Sequence, residues 1–190
     1  MKVRILILAA LMLPTLTLSG KQEARGIPVK YQGQPAIDGL IDKGEYPESF
    51  TDGKTGITVY WQADSTNLYC ALQSPGKGWL AMGFGSEGMN GSVMIIAYQD
   101  KQGQWTAEEH SGKAFFKHVK TERPMLVSAK TGTVKGNTVL EFCLPLKLSN
   151  GKTINSTQPL PYILAFQKDN PMLSKHSKKS GGQLVLTLPQ

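Results

Sequence analysis

In Ile57-Thr58-Val59-Tyr60-Trp61-Gln62, the residues Ile57, Val59 and Trp61 alternate with Thr58, Tyr60 and Gln62. Asp64 to Asn67 supply turn residues, and Leu68-Tyr69-Cys70-Ala71-Leu72-Gln73-Ser74 runs back. A period of two residues is the signature of a strand with one face on a core, so this stretch predicts an antiparallel hairpin. Working outward, Gly78 to Gly85 predicts a third strand, with Leu80, Met82 and Phe84 on one face. Ser92 to Gln99 is apolar on both faces, the pattern of a central strand. Asp100 to Gly103 turns into Gln104 to Glu109. Val127–Val134, Thr138–Leu146, Tyr162–Gln167 and Gln183–Leu188 complete the set, the last with Leu184, Leu186 and Leu188 alternating with Gln183, Val185 and Thr187. Beyond the first residues, no segment sustains a 3.6-residue apolar period. Short strands broken by Gly, Asn, Asp and Pro predict an all-β fold, an antiparallel β-sandwich in a single domain.

Composition supports an ordinary globular domain: of 190 residues, 40% are hydrophobic and 18% charged. A multidomain machine, a coiled coil and a polytopic membrane protein are excluded. The amino terminus has a different order. Lys2 and Arg4 precede an apolar run from Ile5 to Leu13, followed by Pro14 and by small and polar residues to Ser19 and Gly20. That order predicts a secretory signal peptide over 1–19, a flexible lead-in over 20–26 and the sandwich over 27–190. The run is too short to span a bilayer, which takes about 20 apolar residues. The expected location is periplasmic or secreted, with no transmembrane segment in the mature chain. Removing Lys2 and Arg4 lowers the formal charge of +7 by two.

The search for chemistry is mostly negative. Nucleophile elbows, P-loops, dinucleotide fingerprints and HExxH are absent, and no carboxylate pair is marked out. Basic and aromatic residues lack the spacing of a nucleic-acid platform. No catalytic site of its own is therefore expected, and no nucleic-acid partner. A three-histidine centre would need His110, His118 and His176 to converge. Cys70 alternates with Leu68 and Leu72 on a core face, whereas Cys143 shares a less apolar face with Val139 and Glu141. The pattern leans against a disulfide between them. There is no CxxCH for covalent haem attachment.

Two features stand apart. Met89 sits in the loop Gly85-Ser86-Glu87-Gly88-Met89-Asn90-Gly91-Ser92, among glycines and polar residues. On composition it reads first as a side chain folded over the end of the sandwich, and second as a thioether offered to a soft metal. Lys175-His176-Ser177-Lys178-Lys179 is a basic loop before the last strand. It reads as a solvated loop, or as a histidine ligand ringed by ammonium groups that meet propionates or an acidic partner.

The stretch Ile57 to Gln104 resembles the DOMON domain. The likeness is carried by Val59-Tyr60-Trp61, Leu68-Tyr69-Cys70-Ala71-Leu72, Gly78-Trp79-Leu80-Ala81-Met82-Gly83-Phe84 and Met89-Asn90-Gly91-Ser92 with the apolar strand after it. Upstream, Ile37-Asp38-Gly39 and Gly44-Glu45-Tyr46 resemble the opening of the related family-9-like carbohydrate-binding modules. Downstream, a histidine just before the last strand recurs in the cytochrome branch, and His176 occupies that place. Val93 stands where the family often has an acidic residue.

The resemblance implies an immunoglobulin-like sandwich with one non-covalent haem b, Met89 and His176 being its axial ligands. Trp79 and Phe84 would line the haem pocket, and Lys175 and Lys178 would meet the propionates. Some relatives pair Met with Lys, which makes Lys175, Lys178 or Lys179 competitors of His176. Imidazole is favoured because it binds iron without losing an ammonium proton. The implied partner is an exported redox protein or dehydrogenase. The alternatives are a sugar-binding module, using the Ile37-Asp38-Gly39 opening and exposed aromatics such as Tyr98 and Trp105, and a haem carrier or sensor.

Overall fold

The computed structural model describes residues 33–186. The expected signal peptide, the lead-in and the end of the expected last strand lie outside the described residues. Eleven strands follow in chain order: β1 (Glu48–Thr51), β2 (Thr58–Ala63), β3 (Asn67–Gln73), β4 (Leu80–Phe84), β5 (Val93–Gln99), β6 (Trp105–Ala114), β7 (Lys117–Lys120), β8 (Ser128–Val134), β9 (Asn137–Pro145), β10 (Leu160–Phe166) and β11 (Lys178–Leu184). They form a five-stranded sheet in the order β1-β2-β3-β9-β8 and a six-stranded sheet in the order β11-β10-β4-β5-β6-β7. Every strand pair is antiparallel. The described residues contain no helix, so none is long and apolar enough to cross a membrane. The predicted β-sandwich is the fold.

The inner faces meet in one core. Val59 and Trp61 of β2, Leu68, Cys70 and Leu72 of β3, and Leu140, Phe142 and Leu144 of β9 come from the first sheet. Leu80, Met82 and Phe84 of β4, Val93 and Ile95 of β5, and Tyr162 and Leu164 of β10 come from the second. Each set follows the period of two that the sequence carries. β5 is interior to its sheet, as its two apolar faces require.

The edges differ from the sequence expectation. The last strand is Lys178–Leu184, not Gln183–Leu188. Leu184 and Leu186 are buried as their alternation demands, but the ladder with β10 begins at Lys178 opposite Phe166. Backbone pairing, rather than side-chain pattern, sets that start. β1 and β7 had no sequence signal. Both have four residues, and β7 carries Lys117 and Lys120 on the sheet edge, where charge discourages further pairing.

Cys143 corrects the expectation of a less buried face, being 3% exposed. Ile37, Ile41 and Tyr46 from the segment ahead of β1 cover that outer face of the first sheet, over Tyr69, Ala71 and Cys143. Tyr69 pairs with Cys143, and Cys70 with Phe142. The two free thiols therefore point to opposite faces of the sheet, a geometry that cannot form a disulfide.

Glu141 is the staple of this covering segment. Its side chain is fully buried. Oε2 accepts from Asp38 N at 3.1 Å and Gly39 N at 2.7 Å, and Oε1 accepts from Tyr46 OH at 2.9 Å. Burial pushes its carboxyl above the usual carboxylate range, against the pull of these donors. Gly39, at φ +92°, lies so close to β8 that a Cβ there would meet Thr131 O at 2.8 Å. Ile37-Asp38-Gly39 and Tyr46 thus do structural work. Glu141→Ala would leave three donors without their acceptor, and each buried unmade bond costs about 1–3 kcal/mol. A fall in Tm of roughly 10 °C is expected by calorimetry for a chain of this size, and an unchanged Tm would contradict the staple.

Candidate functional site

The second sheet is apolar on both faces. Outward from β4 and β5 stand Trp79, Ala81, Met94 and Ile96, all buried, with Met89, Tyr98, Ile163 and Ala165 packed against them. An outer sheet face normally meets water and reads polar. Here it forms the floor of a small apolar pocket lined by Trp79, Ala81, Gly83, Met89, Met94, Ile96, His118, Ile163, Ala165 and His176. Ala81, Gly83 and Ala165 are the small residues of this lining, and larger side chains lean over them. At Gly83 a Cβ would come within 2.8 Å of Ile163 Cγ1 and of Met94 Cγ.

Met89 reaches the pocket from the β4–β5 loop. Ser92 closes that loop, donating from N at 3.1 Å and from Oγ at 2.9 Å to the Met89 carbonyl. The loop then docks on β6, where Gly91 N donates to Gly112 O at 3.1 Å and Gly112 N donates to Ser92 O at 3.0 Å. Gly112 adjoins a register shift between β6 and β7, and a Cβ there would lie 1.6 Å from the Met89 carbonyl oxygen. Only glycine permits this approach.

His176 arrives from the opposite side, on the β10–β11 loop. Ser177 seals the base of that loop, donating from N to Phe166 O at 2.8 Å and accepting through Oγ from Lys168 N at 3.0 Å. The loop crosses the strand ends, taking bonds from Trp79 N to Asn170 O at 3.1 Å and from Gln99 N to Pro171 O at 2.8 Å. His176 is half-buried; Lys175 and Lys178 beside it are exposed, and Lys178 begins β11.

The histidine that sequence reasoning left unused is His118. It is half-buried on β7, opposite Gly112, and lines the same pocket. Its Nδ1 lies 3.0 Å from Nδ1 of the buried His110. Burial lowers both imidazoles below the ordinary histidine value, and for His110 the neighbouring His118 adds to the fall. Only recognition of the short β6–β7 hairpin could have found this pair, and its Ala114-Phe115-Phe116 turn lacks the usual Gly or Asn signal.

Of the expected site residues, the pocket unites Met89, His176 and Trp79. Phe84 is a correction: it follows Leu80 and Met82 inward, is fully buried in the main core, and meets Phe142 edge-on at 6.0 Å. Tyr98 and Trp105 are not exposed platforms either. The Tyr98 hydroxyl donates to Glu108 Oε2 at 2.8 Å, and Trp105 packs against the core.

No family model matches the chain, and no curated protein sequence matches it. Solved structures do share its shape. The cytochrome b domain of pyranose dehydrogenase from Coprinopsis cinerea superposes with a TM-score of 0.57 at 14% identity, covering 71% of this chain and 80% of that one. The cytochrome domain of Myriococcum thermophilum cellobiose dehydrogenase gives a TM-score of 0.48 at 16% identity, over 75% of this chain and 90% of that one. A family 9 carbohydrate-binding module from Caldicellulosiruptor kristjanssonii gives 0.48 at 11%, over 83% and 92%. The likeness to the first of these establishes a common β-sandwich fold.

The Gly112 contact yields a direct test. Gly112→Ala should force the Met89 loop away and destabilise the protein by about 1–3 kcal/mol, the usual cost of overpacking. Methyl-labelled methionine NMR should then report a shifted Met89 resonance. Gly88→Ala, where a Cβ meets nothing within 4 Å, should leave both stability and spectrum nearly unchanged.

Proposed function

We propose that this protein is a b-type cytochrome domain of the DOMON kind. It holds one non-covalent haem on the outer face of the six-stranded sheet and passes single electrons to or from an exported redox protein or dehydrogenase. The observation that carries this reading is that Met89 and His176, far apart in sequence, line one apolar pocket.

The residues fit the group. A thioether and an imidazole are the donor set of a low-spin electron-transfer haem. The lining is apolar apart from its donors, as a porphyrin face requires, and Trp79 is part of it. Trp79 Nε1 is buried without a hydrogen-bond partner among the described residues, so it has a donor to offer a polar edge of the ligand. Lys175 and Lys178 are exposed beside His176 and offer cationic partners for two propionates. Held by these residues, a haem would supply reversible one-electron chemistry.

The protein's own share is binding and tuning. Met89 Sδ would favour the reduced metal and raise its potential. His176 would supply an imidazole nitrogen. Ile96, Ile163 and Met94 exclude water from the floor, which limits reorganisation when charge changes. In this reading the domain is a carrier of electrons rather than a catalyst. The aromatics expected to serve a sugar platform, Tyr98 and Trp105, are half-buried.

Expressed with haem supplied, the reduced protein should give the sharp visible bands of low-spin haem b. His176→Ala should abolish them. A colourless protein, or a His176→Ala spectrum identical to the parent, would contradict the assignment.

A further inference from the structure

A six-coordinate haem iron takes two protein ligands, yet this pocket is lined by a thioether, Met89, and by two imidazoles, His118 and His176. Resting on the haem reading above, we propose that His118 is a second imidazole ligand of the pocket, able to take the place of Met89 opposite His176.

His118 is backed by His110, and His110 by the carboxylate of Glu108. Glu108 is held by the Tyr98 hydroxyl at Oε2 and by Lys120 at Oε1. Burial alone would raise its carboxyl, but bonds from Lys120 and Tyr98 hold it below the usual carboxylate range. It is therefore an ionised acceptor. His110 Nε2 is buried, has no hydrogen-bond partner, and faces Glu108 Oε2 at 3.6 Å. In the tautomer that carries the His110 proton on Nε2, toward this carboxylate, His110 Nδ1 is an acceptor. His118 Nδ1, at 3.0 Å, is then the donor. Its Nε2 keeps a bare lone pair, and among the described residues nothing hydrogen-bonds to it. A histidine whose second nitrogen donates into a carboxylate-backed chain is the usual form of a metal ligand. His176 has no comparable support among the described residues.

The topology says which ligand His118 replaces. The Met89 loop docks on Gly112, and Gly112 is the ladder partner of His118. Met89 and His118 thus enter from neighbouring backbone on the β6–β7 side. His176 enters from the β10–β11 loop at the far side of β4 and β5. Exchange breaks one iron–sulfur bond and makes one iron–nitrogen bond. It moves no proton, because His118 Nε2 already carries the lone pair. The oxidised metal, which gains least from a thioether, favours the exchange most.

The test uses ferric protein loaded with haem b. Met89→Ala should remain six-coordinate and low-spin, with the electron paramagnetic resonance signature of two imidazoles. Met89→Ala/His118→Ala should become high-spin, and added free imidazole should restore the low-spin form, showing that the pocket still folds. A high-spin Met89→Ala protein, or a double variant that stays low-spin, would overturn the role of His118 while leaving the haem reading intact. A parent protein that never gives low-spin haem would overturn the haem reading, and this inference with it. If the double variant does not fold, the resonance signature of Met89→Ala alone decides: two imidazoles support His118, and any other ligand set overturns it.

Discussion

The site depends on a sheet that is apolar on both faces. β4, β5 and β10 turn Leu80, Met82, Phe84, Val93, Ile95, Tyr162 and Leu164 to the core, and set Ala81, Met94, Ile96, Ile163 and Ala165 on the outside. Apolar outer surface of this kind drives association, either with the protein's own loops or with a ligand. The loops at its rim bring sulfur and imidazole side chains rather than more hydrocarbon. An apolar surface flanked by metal-binding donors is the physical reason for proposing a planar, apolar, metal-containing ligand.

The two sheets meet the same demand differently. The outer face of the first sheet is covered by the chain itself, with Ile37, Ile41 and Tyr46 laid over Tyr69, Ala71 and Cys143 and stapled by Glu141. The second sheet is only partly closed, by the Met89 loop, the His176 loop and β7. Each closing element has its own lock: the Gly112 approach, the Ser177 bonds, and the His118–His110 bond. The locks rely on hydrogen bonding and close backbone contact, which hold donors in place at a pocket edge.

Much of the fold was legible in the sequence because β-strands declare themselves through alternation. The hairpin of β2 and β3, the central place of β5 and the inward row on β4 were all readable. Met89 stood out because its surroundings were wrong for a core methionine, and His176 because a basic loop led into the last strand. The errors have physical causes. Phe84 was assigned to the pocket by proximity in sequence, although the period of two puts it on the face opposite Ala81 and Gly83. Cys143 and Glu141 looked exposed because a mixed face reads as solvent-facing unless its covering segment is known. His118 was weighed only as one of three scattered histidines, because β7 is a short, lysine-rich edge strand whose place is set by pairing with β6, a long-range contact with no local pattern.

The most direct measurement is anomalous scattering at the iron absorption edge from crystals of the haem-loaded protein. The account predicts one iron position above Ala81 and Gly83, within bonding distance of His176 and facing the β6–β7 side where Met89 and His118 stand. An iron peak elsewhere on the sandwich, or none in coloured crystals, would contradict it.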